Sequence, residues 1–196
     1  MDGQTWHRRE DKTLGGAALA ALSSSFDQIA LPPNDAAEVK QECDSFTFTT
    51  FTVDDAWYLG QRLFARLAPF ASHGRPAVIS ISLANPGQVL FQTVTGPGTS
   101  PDNEVWIQRK RNSALRFGCS SWYLRCKFNN GDHEFFRAKN GMDREQASKY
   151  ALHGGAVPIR VRGVEGIVAV VVVSGLTQQE DHMVIVETIR EFWQQL

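Results

Sequence analysis

Hydrophobic positions along this chain follow two periodicities, and the boundary between them is sharpest from residue 153 to residue 181, HGGAVPIRVRGVEGIVAVVVVSGLTQQED. Residues 167–173 form an unbroken apolar run made mostly of valine. Such a run predicts a strand buried on both faces, because a strand with one wet face alternates apolar with polar. It needs cover above and below, so helices elsewhere must pack on both sides of it. Just before it, Val157, Ile159 and Val161 alternate with Pro158, Arg160 and Arg162, which predicts another strand. Pro158 has no N–H to give to a ladder, so this strand either runs at a sheet edge or carries its proline at its start. Gly163-Val164-Glu165-Gly166 turns one strand into the other. Past Ser174-Gly175 the period lengthens. Thr177 and Glu180 form a capping box, and His182, Ile185, Val186, Ile189, Phe192 and Trp193 share a helical stripe that should face the sheet.

The same two periods organise the rest. Thr52 stands three residues before Asp55, another capping box, and Ala56, Leu59, Gly60, Leu63, Phe64 and Leu67 recur at helical spacing to about Phe70. Residues 78–83 alternate Ile79, Ile81 and Leu83 with Ser80 and Ser82, Asn85-Pro86-Gly87 turns, and residues 89–93 return antiparallel. Pro101-Asp102-Asn103-Glu104 starts a helix that runs to about Trp122, and Asn129-Asn130-Gly131-Asp132 is a loop. Asp143 caps a further helix, stapled by Met142 and Ala147, which carries His153 in its last turn and is ended by Gly154-Gly155. Toward the N-terminus, Asn34 caps a short helix through Cys43, and residues 46–51 form a weakly alternating strand. Residues 1–33, rich in small residues and closed by Pro32-Pro33, read as a partly flexible extension with one loose helical turn, and residues 34–196 as a single α/β (α+β) domain.

Composition removes several function classes. A formal net charge of −1 gives no general attraction for nucleic acid or an anionic membrane, so neither is expected as a partner. Trp122, Tyr123 and Phe128 lie among basic residues in a pattern superficially like single-strand binding, which the neutral overall charge disfavours. No apolar stretch reaches the length of a membrane span. Arg8, Arg9 and Lys12 precede a short apolar stretch at residues 14–22, but Asp2, Glu10 and Asp11 dilute the basic region and no A-x-A site follows, so export is not expected. Cys43, Cys119 and Cys126 are odd in number and without framework spacing. They read as reduced thiols of a cytoplasmic protein.

Candidate chemistry gathers around the glycine-rich turns. His153, beside Gly154 and Gly155, can reach a ligand, or it can complement the last carbonyls of the helix it ends. His182 lies on the inner stripe, which usually means a hydrogen-bonded core histidine, with a ligand role the lesser reading. Asp181 in the first turn of the last helix is accounted for by the helix dipole. The N–H groups around Ser174 and Gly175 are placed to hold a carboxylate such as a haem propionate. Ser174 lacks a G-x-S-x-G elbow and a nameable base, so no catalytic residue is assigned. No H-E-x-x-H, C-x-x-C or paired-histidine spacing points to a metal. Arg109, Lys110 and Arg111, with Trp106 one turn earlier, make the most basic local patch, an anion site or a subunit contact.

In order, Gly154-Gly155-x-Val157-Pro158-Ile159, Gly163, Gly166, Val173-Ser174-Gly175 and Asp181 resemble the signature of the haem-degrading-domain (HbpS-like, GlcG-like) superfamily. Pro101-Asp102-Asn103, Trp106, Arg109-Lys110, Ser120-Ser121, His153, Leu176, Gln178 and His182 resemble its uncharacterised branch shared by bacteria and fungi, over roughly residues 48–196. Thr177 stands where that branch usually has proline, and Glu165 where glycine is common. The resemblance implies a profilin-like sandwich, a central, mostly antiparallel five-stranded sheet with helices on both faces, and homo-oligomers. It also implies that some members bind haem or a related tetrapyrrole. Two roles follow. One is a cytosolic interaction or assembly protein without catalysis, with protein partners. The alternative is a binding protein for haem or another anionic ligand, with a site built from His153, Gly154, Gly155, Arg160, Ser174, Gly175, Asp181 and His182.

Overall fold

A computed structural model of the chain describes residues 4–8, 27–85 and 87–195. Seven strands, β1 (Thr5–Arg8), β2 (Phe46–Phe48), β3 (Val78–Leu83), β4 (Val89–Val94), β5 (Ala156–Val161), β6 (Ala169–Ser174) and β7 (Trp193–Gln195), form one sheet in the order β4-β3-β6-β5-β2-β1-β7. Pairing is antiparallel except at β2–β5 and β1–β2. The five expected strands are present. Two more, β1 and β7, extend the sheet at one side, each too short to leave a periodic signature. Seven helices complete the described chain: α1 (Ala36–Glu42), α2 (Val53–Ser72), α3 (Pro101–Phe117), α4 (Ser121–Lys127), α5 (His133–Lys139), α6 (Arg144–Ser148) and α7 (Gln178–Phe192). The loose helical turn expected near residues 14–22 lies outside the described residues.

The valine run behaves as its composition requires. Val170, Val171, Val172 and Val173 are wholly buried. Val170 and Val172 join Val78, Ala156, Ile107 and Ala114 under α3, while Val171 and Val173 join Ile79, Ile81, Val157 and Ile159 in the larger core beneath α2 and α7. Helices therefore cover both faces, and β6 is paired on both sides, with β3 and with β5. Pro158 sits inside β5 opposite Val170 rather than at an edge. The bonds Val173 N–H to Gly155 O and Val168 N–H to Ile159 O show that odd-numbered β5 residues face β6. The Pro158 nitrogen thus points to the β2 side, where pairing begins only at Ile159.

Both capping boxes read from sequence form, Thr52 with Asp55 and Thr177 with Glu180. Five helical expectations are corrected: Asp35 rather than Asn34 caps α1, Trp193 leaves the last helix to begin β7, and three more concern the middle of the chain. The helix begun at Pro101 stops at Gly118, whose φ of 68° closes it, and Ser120 caps α4 as a separate element. Asp132, read as loop, caps α5 through the Phe135 N–H. The helix capped by Asp143 ends at Ser148, so His153 lies in an irregular segment and not in a helical last turn. That segment is held by tertiary bonds, the Ala151 N–H donating to Ser113 Oγ and the Ser113 hydroxyl to Ala151 O, which local propensity does not announce.

Shortening Val171 or Val172 to alanine removes two buried methyl groups and leaves a cavity, an expected loss of about 2 kcal/mol each. Val164→Ala, at a residue 52 % exposed, should leave stability unchanged. Urea denaturation of the three variants checks the contrast.

Candidate functional site

One pocket of about 250 Å³ opens where α3, the segment through His153 and the β6–α7 turn meet. Asn103, Trp106, Lys110, His153, Ser174, Gly175, Leu176, Gln178 and Asp181 line it. Its inner wall is a buried ion pair. Lys110 Nζ donates to Asp181 Oδ2 at 2.8 Å and to Val173 O at 2.9 Å, with both side chains 3 % exposed. Asp181 Oδ1 accepts the Leu176 N–H, and the Gly175 amide also points at this carboxylate. The turn thus holds a carboxylate as its N–H groups suggest, but the carboxylate is the chain's own Asp181. Burial pushes its carboxyl above the ordinary value, opposed by the Lys110 ammonium and the two amides.

Glycine makes room for this arrangement. A side chain at Gly155 would run into Val173 O, Lys110 Nζ and Asp181, and its φ of 114° disfavours one in any case. Gly175, at φ 149°, lies against the backbone of Pro76 and Ala77, so the turn fits only without a Cβ. Gly154 backs onto Gln178 O and the Trp122 ring.

His153 stands half-buried with its ring 4.8 Å from Trp106, edge to face, and 6.0 Å from His133. Its Nδ1 is buried and bonds nothing among the described residues, and Gln178 Oε1 is likewise unpartnered. Burial, then His133, Lys110, Arg125 and Arg109, bring the imidazole down to about 4, so it is neutral at physiological pH. Arg109 lies over the Trp106 ring at 4.5 Å and donates to Tyr150 O.

The structure therefore gathers His153, Ser174, Gly175, Asp181, Trp106 and Lys110 at one pocket, with Gly154, Gly155 and Arg109 packed behind or beside it. Arg160 is elsewhere and spends its guanidinium on Gly118 O. His182 is wholly buried and stacks on Trp122 at 6.3 Å. Its ring nitrogens make no hydrogen bond of normal geometry, and burial lowers it to about 3. Asn103, Leu176 and Gln178 were not expected as site residues. All three fall within the motifs that carry the family resemblance, which was the signal available, although none is a residue type that announces chemistry. Ser174, His153 and Asp181 share the pocket without forming a relay, since Asp181 is committed to Lys110 and the turn amides and His153 Nδ1 is free. Cys43, Cys119 and Cys126 are free thiols, and burial pushes Cys43 and Cys119 up to about 12. No group of three or more metal-ligating side chains, and no helix long and apolar enough to cross a membrane, occurs among the described residues.

A mixed sheet covered on both faces, with glycine turns folded around a buried Lys–Asp pair beside a preformed pocket, defines an α/β domain. The family model for haem degrading protein HbpS-like matches residues 51–190, and the chain belongs to that family. A UPF0303 protein of Streptomyces avermitilis is 41 % identical over 170 residues, covering 84 % of this chain and 94 % of the relative. The UPF0303 protein YBR137W of Saccharomyces cerevisiae is 37 % identical over 166 residues, 83 % of this chain and 84 % of the relative. The crystal structure of the Ybr137w protein superposes with a TM-score of 0.67 at 33 % identity, over 95 % of this chain and 96 % of that one.

His153 and His182, the most strongly depressed histidines, weaken the fold toward acid, and His133, lowered by burial and Arg109, adds to them. Free histidine titrates near 6.5, so above that pH all three are neutral whether folded or not, and stability is full. Below it the unfolded chain takes up protons that the folded one refuses until about 4 at His153 and about 3 at His182. Stability should fall by about 1.4 kcal/mol per pH unit for each. Asp181 acts with opposite sign, so His182→Phe, which removes one imidazole, isolates that histidine's share. Denaturant titrations across this pH range should show a visibly shallower slope for the variant.

Proposed function

We propose that the protein is a non-catalytic binding protein for a small polar molecule, held in the pocket between Lys110, His153 and the Ser174–Gly175 turn. The observation that carries this reading is the Lys110 ammonium at the pocket, which keeps one N–H beyond its bonds to Asp181 and Val173 O, with the unpartnered His153 Nδ1 and Gln178 Oε1 buried just behind the lining. Buried donors are rarely left without an acceptor in folded proteins, and a molecule in the pocket supplies one for the spare Lys110 N–H. The absence of a lowered-pKa thiol and of a Ser–His–Asp relay supports binding over catalysis.

Haem fits this pocket poorly. At about 250 Å³ it lies below the roughly 300–1,000 Å³ typical of drug-sized ligands. A propionate-sized group suits it; a whole macrocycle does not. Titrating the protein with small polar fragments and mapping amide shifts by NMR should place binders at Gly155, Leu176 and Gln178. Fragments that shift only other surfaces would contradict the reading. Haemin should give the same Soret spectrum with the wild type and with His153→Ala.

A second reading, a homo-oligomer whose surface serves cytosolic protein partners, is favoured by the β4 edge. Val89 and Val94 on β4 and Trp57 on α2 are large, apolar and about half exposed, at 46 %, 48 % and 50 %. They flank a groove lined by Trp57, Phe64, Leu90 and Phe91, and β4 has neither charge nor proline to guard its edge. The Thr95 N–H donates to Ala77 O, so Val94, one residue earlier, directs its N–H outward. Light scattering should give a multi-subunit mass that Val94→Pro lowers with the fold intact. An unchanged mass would free β4 of the interface.

A further inference from the structure

Resting on the pocket as a ligand site, we infer that its ligand carries a carboxylate, seated between Lys110 Nζ and the His153 imidazole. Lys110 is 2 % exposed and has three N–H groups, of which Asp181 and Val173 O take two. The third is left to the pocket that Lys110 lines. An ammonium this deeply buried, with a donor to spare, is costly unless something accepts it. Asn103 spends its Oδ1 on the Ser100 N–H, which leaves its amide NH₂ as another donor on the same wall. A half-turn of the Gln178 amide exchanges its orphaned oxygen for a further one.

The charges facing His153 select the sign of the ligand. From α3 come Arg109 and Lys110, from α4 Arg125, and from α5 His133, all of which oppose a positive charge on the ring. On α7 the one facing acid, Asp181, is already neutralised by Lys110 and two amides. Asp132 and Glu134 act on His133 rather than on His153. A cationic ligand meets this field as repulsion, and a neutral one gains little from it. An anion gains from the Lys110, Arg109 and Arg125 charges, and two donors lining the same pocket match the two oxygens of a carboxylate.

Burial is the main cause of the ring's neutrality and the surrounding cations add to it; an anion beside the ring opposes the cations, so binding favours a proton on His153. Affinity then rises as pH falls below neutrality, by up to tenfold per pH unit. Acetate and its neutral isostere acetamide separate the possibilities, titrated into the full-length protein with pocket amide shifts as the readout. Acetate should saturate the Gly155 and Leu176 shifts, acetamide should bind at least tenfold more weakly, and acetate affinity should climb with acidity. His153→Asn should keep the fold, weaken acetate several-fold and flatten its pH dependence. Acetamide binding as tightly as acetate would overturn the carboxylate and leave the ligand site standing. Silence from both probes at every pocket amide would remove the ligand site as well.

Discussion

The contact between Lys110 and Asp181 ties together three parts of the molecule that meet nowhere else with such economy. Lys110 comes from the middle of α3, on one face of the sheet, and Asp181 from the first turn of α7, which covers the other. Val173 O, the second acceptor, belongs to the end of the central strand between them. A buried ion pair adds little net stability over a well-packed apolar pair, because desolvation offsets attraction. Its effect here is positional. It admits one relation between helix, strand and turn, since any other leaves a charge buried without its partner.

From that constraint the pocket follows. Gly155 has to be bare for Lys110 to reach across, and Gly175 has to be bare for the turn to close on Pro76 and Ala77. With the turn amides bonded to Asp181, no backbone donor of that turn is left for a ligand, and recognition passes to side chains: the remaining Lys110 N–H, His153, Asn103 and Gln178. His153 stays neutral because it is buried against Trp106 and because cations surround it. Site and scaffold are one network, with the ion pair at its back and His153 and Gln178 along its wall.

Much of this was legible along the chain. A run of valines can be satisfied only between two layers, so residues 167–173 announced the sheet's centre, and the capping boxes at Thr52 and Thr177 marked two helix starts to the residue. Strands of three or four residues, β1 and β7, are below the length at which a period registers. The segment from Ala147 to Gly155 looked helical because its apolar spacing allowed it, yet Ala151 bonds to Ser113 and Arg109 O instead. The pocket residues on glycine turns were visible because small residues at a turn signal close approach. Partnership between Lys110 and Asp181 was not, since 71 residues separate them and each has a sufficient local explanation. Arg160 and His182 drew attention by chemical type alone, and packing absorbed both.

Nitrogen-15 NMR of the lysine side chains addresses the central claim most directly, because an ammonium held by two acceptors and shielded from water exchanges its protons slowly. One lysine, assigned to position 110 by its loss in Lys110→Met, should give a resolved and slowly exchanging NH₃⁺ signal that Asp181→Asn abolishes or shifts strongly. A Lys110 signal that exchanges as fast as those of surface lysines, or that ignores the change at Asp181, would contradict the account.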